Sequence, residues 1–104
     1  MDSKLREQAF ERSGGYCLWC GKPMSEYDFA IHHRKLRSRG GEDVLPNLVA
    51  VHHKCHNLGT NSIHLNPATA TLRGFMVSAQ DDERVVMLKD VTGTMISFSD
   101  DRES

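Results

Sequence analysis

Apolar positions in this chain come in short runs, and the period of each run assigns an element to it. From Ser3 to Ser13, Leu5, Ala9 and Phe10 recur among polar residues at helical spacing. That predicts a short amphipathic helix capped by Asp2 or Ser3 and ended by Gly14-Gly15. Gly21-Lys22-Pro23 reads as a turn, Phe29 to His33 as a strand, and Arg37 to Pro46 as a mobile, glycine-containing loop. Leu48-Val49-Ala50-Val51 is a second apolar strand, and His53 to Leu58 suits a short helix that stops at Gly59. Asn66-Pro67 opens a further helix, with Asn as cap and Pro at the first helical position, and Gly74 closes it. Phe75 to Val77, Val85 to Leu88 and Met95 to Phe98 read as strands, the last two joined by Asp90-Val91-Thr92-Gly93 as a hairpin loop. No internal repeat or low-complexity tract interrupts this order. One domain over residues 1–98 is expected, with a polar, loose tail at 99–104.

Composition makes the core of that domain thin. Of 104 residues, 38% are hydrophobic and 7% aromatic, and chains this small often need a staple. Three cysteines cannot all pair as disulfides, and their spacing is of the metal type, which points to a reducing compartment and a zinc staple. No stretch approaches the roughly 20 apolar residues that cross a bilayer. The start, MDSKLREQ, has no apolar signal core, so a soluble, intracellular protein is expected, with no membrane partner. A net charge of −1 excludes a polycation, so any nucleic-acid contact must use a local patch. Arg34, Lys35, Arg37 and Arg39 form one, with no acid among them. Acids gather instead at Asp81-Asp82-Glu83 and at Asp100, Asp101 and Glu103. The plain alternative for residues 34–39 is a solvated loop; phosphate contact is the reading favoured here.

Histidines and cysteines form two groups. Cys17-x-x-Cys20 lets two sulfurs reach one ion from a tight turn, and His52-x-x-Cys55 repeats the geometry with an imidazole in first place. Together they make a closed Cys3His zinc site, and a closed site is structural. His53 is an alternative fourth ligand, but the repeated spacing favours His52. A lone CxxC would read as a redox pair, a reading the second knuckle and the lack of a surrounding βαβ pattern oppose. The second group is His32-His33 with His56. Neighbours on a strand face opposite ways, so one imidazole of the doublet can hold a metal while the other handles a proton. A metal and a base side by side suit hydrolysis, and the basic run suggests nucleic acid as substrate.

The sequence Cys17-x-x-Cys20, Ile31-His32-His33, Arg39-Gly40-Gly41, Asn47-Leu48-Val49 and Cys55-His56 resembles the HNH endonucleases, the family built on the ββα-metal motif. The resemblance covers roughly residues 14–75. It implies an α+β fold with a ββα-metal core, a pair of zinc knuckles, short flanking helices and a C-terminal hairpin. The name-giving residues would be His33, Asn47 and His56. His33 would be the general base, and Asn47 would brace the loop between the strands by backbone hydrogen bonds. His32 takes the place of the first ligand of the catalytic metal, often Asp, and His56 is the second. His64 matches a further ligand, but residues 57–63 separate it from His56 where many relatives have only one helical turn. Many zinc-bearing relatives have cysteine where this chain has His52. Implied cofactors are a structural Zn²⁺ and one catalytic divalent ion, Mg²⁺, Mn²⁺, Ni²⁺ or Zn²⁺. The implied activity is DNA phosphodiester hydrolysis. Ile63-His64-Leu65-Asn66-Pro67-Ala68 and Gly74-Phe75 are similar to small phage and prophage HNH proteins, several of which act with terminase in packaging, which implies the cytoplasm of a bacterial host. The competing reading is a non-catalytic zinc-ribbon DNA-binding module, which has no need of the histidine doublet and His56.

Overall fold

The computed structural model describes residues 3–96. Asp2, residues 97–98 of the expected last strand and the tail 99–104 lie outside them. Helix α1 (Ser3–Arg12) forms where the spacing predicts it, and its apolar side lies on strand β2 (Leu48–Val51). Ala9 is buried there, while Leu5 and Phe10 pack against Phe29, Leu45, Leu48 and Ala50. Arg12 fastens the helix end by donating to the carbonyls of Leu45 and Leu48.

Strand β1 (Ala30–His33) pairs antiparallel with β2, placing His33 opposite Leu48 and His32 opposite Val49. Side chains alternate across the pleat, so β2 serves two cores. Leu48 and Ala50 face α1, whereas Val49 and Val51 join Cys17, Trp19, Cys55, Ile63, Phe75 and Leu88 on the other side. Burial on both faces is why this strand reads as an unbroken apolar run. Directly opposed residues share a face, so His32 points into the second core with Val49 and His33 points the other way.

A single wide turn of π type, Lys54–Leu58, follows β2 and is closed by the Gly59 amide on the Lys54 carbonyl at 3.0 Å. Helix α2 (Pro67–Leu72) begins at the expected proline. The Asn66 side chain does not cap it; it turns back to donate to the carbonyls of Thr60 and Ser62, each at 2.8 Å. Gly74 then reverses the chain with φ +79°, and a Cβ there would lie 2.1 Å from the Met87 carbonyl oxygen. Only glycine fits that turn.

Three further expectations change. Residues 75–77 do not form a strand: the Phe75 and Met76 amides stay on the Ala70 carbonyl, and the Val77 amide donates to the Arg34 carbonyl at 2.9 Å. The strand expected from Val85 shrinks to β3 (Leu88–Lys89), because the Val85 and Val86 amides fold back onto Asp82. Strand β3 still pairs antiparallel with β4 (Met95–Ile96) across the expected hairpin loop. The loop from Arg37 to Pro46, expected to be mobile, holds two tight turns, Arg37–Arg39 and Leu45–Asn47, and the Gly41 amide closes onto the Leu36 carbonyl at 2.9 Å. Among the described residues no helix is long and apolar enough to cross a membrane.

Candidate metal centres and active site

The exit of β2 brings His52 and Cys55 against the knuckle of Cys17 and Cys20. One ligand atom from each of the four lies within 4.8 Å of all the others. His52 Nδ1 stands 3.4 Å from the Cys20 sulfur and 3.8 Å from that of Cys55. A tetrahedral zinc with ordinary bond lengths separates nitrogen from sulfur by about 3.6 Å, so the donor set fits one such ion. The other ring nitrogen, Nε2, donates to the Pro23 carbonyl at 3.0 Å, which leaves the Nδ1 lone pair facing the sulfurs. Burial raises the Cys17 pKa despite backbone amides of His52, Cys20 and Trp19 that favour its thiolate. Burial raises Cys55 too, helped by the neighbouring Cys17 and Cys20 sulfurs. Thiols raised in this way are poor redox nucleophiles, and a bound cation is what would ionise them. His53, the alternative ligand, is exposed and pairs instead with Asp28 at 3.1 Å.

His32, His56 and His64 form the second cluster, again with ligand atoms within 4.8 Å of one another. His64, set at an unfamiliar distance in sequence, is brought in because the chain after the π turn folds back: the His64 amide reaches the His56 carbonyl at 3.3 Å. The two Nε2 atoms of His56 and His64 face each other at 3.2 Å, close to the roughly 3.3 Å that a tetrahedral ion imposes on two nitrogen ligands. His32 is wholly buried, and its Nε2 meets the Phe75 carbonyl oxygen. A carbonyl only accepts, so Nε2 carries the proton, and Nδ1 is left buried with no hydrogen-bond partner. A buried imidazole nitrogen with no protein partner, beside two others, fits the role of a metal ligand. Burial lowers the His32 pKa to about 3, with the neighbouring His56, His64 and His33 adding to that. Burial and His64 lower that of His56. Both shifts favour the neutral ring, the form that can bind a metal.

His33 stands outside this triad, on the opposite face of β1. Its Nε2 is 2.7 Å from Asp43 Oδ1. Asn47 is wholly buried at the start of β2 and clamps the loop between the strands. Its Oδ1 accepts from the Lys35 amide at 2.7 Å, and its Nδ2 donates to the carbonyls of Lys35 and Glu42, both at 3.0 Å. The Arg34 amide also donates to the Asn47 carbonyl at 2.9 Å.

Residues 17–62 match the family model described as HNH endonuclease. This part of the chain is similar to an HNH domain. The match contains the Cys3His cluster, His32, His33, Asn47 and His56, and ends just before His64. No curated protein and no solved structure matches the chain.

The basic run at residues 34–39 divides. Arg34, expected at phosphate, is wholly buried: its guanidinium donates to the carbonyls of Gly74 at 2.7 Å, Pro46 and Glu83 at 3.0 Å each, and Val86. It ties the end of β1 to the segment after α2 and cannot reach DNA. Lys35 is largely covered as well, donating to the Asp81 carbonyl at 2.8 Å and lying 3.8 Å from Glu83. The acidic run at 81–83 thus folds onto the basic run, which sequence distance concealed. Arg37 and Arg39 remain exposed. Three partners had no sequence signal: Asp43 at His33, the Phe75 carbonyl at His32, and buried Glu83. No periodicity marks a loop acid, and a backbone carbonyl has no residue type at all.

Proposed function

We propose that this HNH domain hydrolyses DNA phosphodiesters, leaving 5′-phosphate and 3′-hydroxyl ends. His32, His56 and His64 would hold one divalent ion, and His33 would take the proton from the attacking water. The observation that carries this reading is the split across β1: His32 offers an unpartnered Nδ1 to two further imidazoles, while the next residue places its ring on the other face. When bound, the ion supplies positive charge to the oxygen that leaves the phosphorus. Neutral ligands do not offset that charge, which favours approach of an anionic phosphate. An all-nitrogen set also suits Mn²⁺, Ni²⁺ or Zn²⁺ better than Mg²⁺, which prefers oxygen. Asn47 keeps the loop that follows His33 at fixed height above β2. Cys17, Cys20, His52 and Cys55 would hold a separate, structural zinc. Arg37 and Arg39, at the exposed edge of the same loop, would meet the DNA backbone. The resemblance of residues 63–68 and 74–75 to small phage HNH proteins is the ground on which terminase is proposed as a partner, inside a bacterial host.

Plasmid nicking with added divalent ions tests the proposal. Wild type should nick with transition ions and far less with Mg²⁺. His33→Ala should keep zinc and fold and lose roughly 10²–10⁴-fold in rate, the usual weight of a positioned base. His64→Ala should instead raise the ion concentration needed for half-maximal rate. A folded His33→Ala that nicks at the wild-type rate would overturn the assignment of the base, and a wild type that binds DNA without nicking under any ion would favour the zinc-ribbon binding module.

A further inference from the structure

We propose that Asp43 is the positioning residue that decides which ring nitrogen of His33 receives the proton from water, and that Arg37 serves by holding Asp43 rather than by meeting DNA alone. The inference rests on the reading of His33 as the base. Asp43 Oδ1 lies 2.7 Å from His33 Nε2, and an ionised carboxylate can only accept. Nε2 must then carry the ring proton, and the lone pair sits on Nδ1. Among the described residues nothing hydrogen-bonds that Nδ1. The ring is therefore fixed in one tautomer with its basic nitrogen free.

The carboxylate is itself held from two sides. Arg37 Nη2 lies 3.0 Å from one oxygen of Asp43 and 2.9 Å from the other, which favours the ionised form and fixes the plane of the group. Through the backbone, Asn47 Nδ2 pins the carbonyl of Glu42, the residue just before Asp43, at 3.0 Å. A chain of contacts thus runs from buried Asn47 through the loop to Asp43 and on to His33. The hydrogen bond from His33, and then Arg37, keep the Asp43 pKa below the ordinary carboxylate value, consistent with a permanent acceptor. His32 shows the same device with a carbonyl in place of the carboxylate: Nε2 is engaged and Nδ1 has no hydrogen-bond partner.

The experiment uses the full chain, zinc-loaded and ¹⁵N-labelled on histidine, at about pH 8, where an ordinary imidazole is neutral. Long-range ¹H–¹⁵N correlation reads the His33 tautomer, and steady-state nicking gives kcat and KM. Wild type should show the Nε2–H form. Asp43→Ala should mix the tautomers and lower kcat roughly 10–100-fold, the range typical of partners that orient a functional imidazole, at unchanged KM and zinc content. Asp43→Asn should recover part of kcat, because its amide oxygen can accept the same N–H. Asp43→Ala with wild-type tautomer and kcat, while His33→Ala is inactive, would reduce Asp43 to a surface ion pair. A change in KM alone would place it in DNA approach and overturn the proposal equally. If His33→Ala is active, it is the base assignment that fails.

Discussion

Arg34 shows how far a residue's role departs from its neighbours in sequence. It stands in a run of four cations and spends its guanidinium on four backbone carbonyls inside the molecule. Removing it would leave buried acceptors unpaired, each costing about 1–3 kcal/mol. Arg34→Ala should therefore lose at least ~3 kcal/mol of stability in urea denaturation. Arg34→Lys should recover little, since an ammonium cannot fork to several carbonyls at once. Arg39, exposed, should behave in the opposite way. Arg39→Glu should leave the urea midpoint in place, weaken DNA binding and flatten its log–log salt dependence by about 0.9 per lost phosphate contact. Arg34→Ala with wild-type stability and weakened DNA binding would return it to the phosphate-contacting run.

At the scale of elements, the parts that follow a local rule were legible. Helix α1, strands β1 and β2 and the start of α2 lie where period and punctuation put them. The residues after Gly74 were apolar enough to read as strand, but their three amides are taken by the carbonyls of Ala70 and Arg34, leaving none to donate to a neighbouring strand. The β3–β4 hairpin was legible because its loop carries its own bonding. Asp90 accepts from the Thr92 hydroxyl at 2.6 Å, the Thr92 amide at 2.9 Å and the Thr94 amide at 3.0 Å. Thr92 above all holds the Asp90 pKa below the ordinary carboxylate value. A depressed folded pKa means that the loop's stabilisation is fully present above about pH 4 and is lost as pH falls through the lowered value. Amide exchange at Thr94 should accelerate over that acid window relative to its intrinsic rate. Asp90→Ala should abolish the transition, and an unchanged transition in that variant would assign it to another group.

In the whole molecule the two candidate metal clusters are joined through one residue. The Phe75 ring meets the single tryptophan, Trp19, edge-on at 4.9 Å beside Cys17 and Cys20, while its carbonyl holds His32. The cysteines of the first cluster are part of the larger core, so its zinc would be a core component rather than an ornament. In small zinc domains that binding is worth about 10–16 kcal/mol, more than a typical domain's whole stability. Stripping the zinc with a strong chelator should shift Trp19 fluorescence to the red, unfold the chain by circular dichroism and abolish ion binding at the histidine triad. Cys17→Ala should do the same without chelator. Zinc-free protein with native tryptophan emission and native secondary structure would show that zinc does not staple this fold.

The sequence by itself determined what depends on spacing. The two ligand pairs, the histidine doublet on a strand, the apolar strand buried on both faces and the glycine that ends α2 are each set by bond geometry over a few residues. Tertiary structure alone decided what depends on groups far apart in the chain. It brought His64 into the triad, folded the acidic run onto Arg34 and Lys35, and set Asp43 against His33. The physical reason is that a buried donor or orphaned lone pair must find its partner wherever the packed chain offers one, and no local period records where that is.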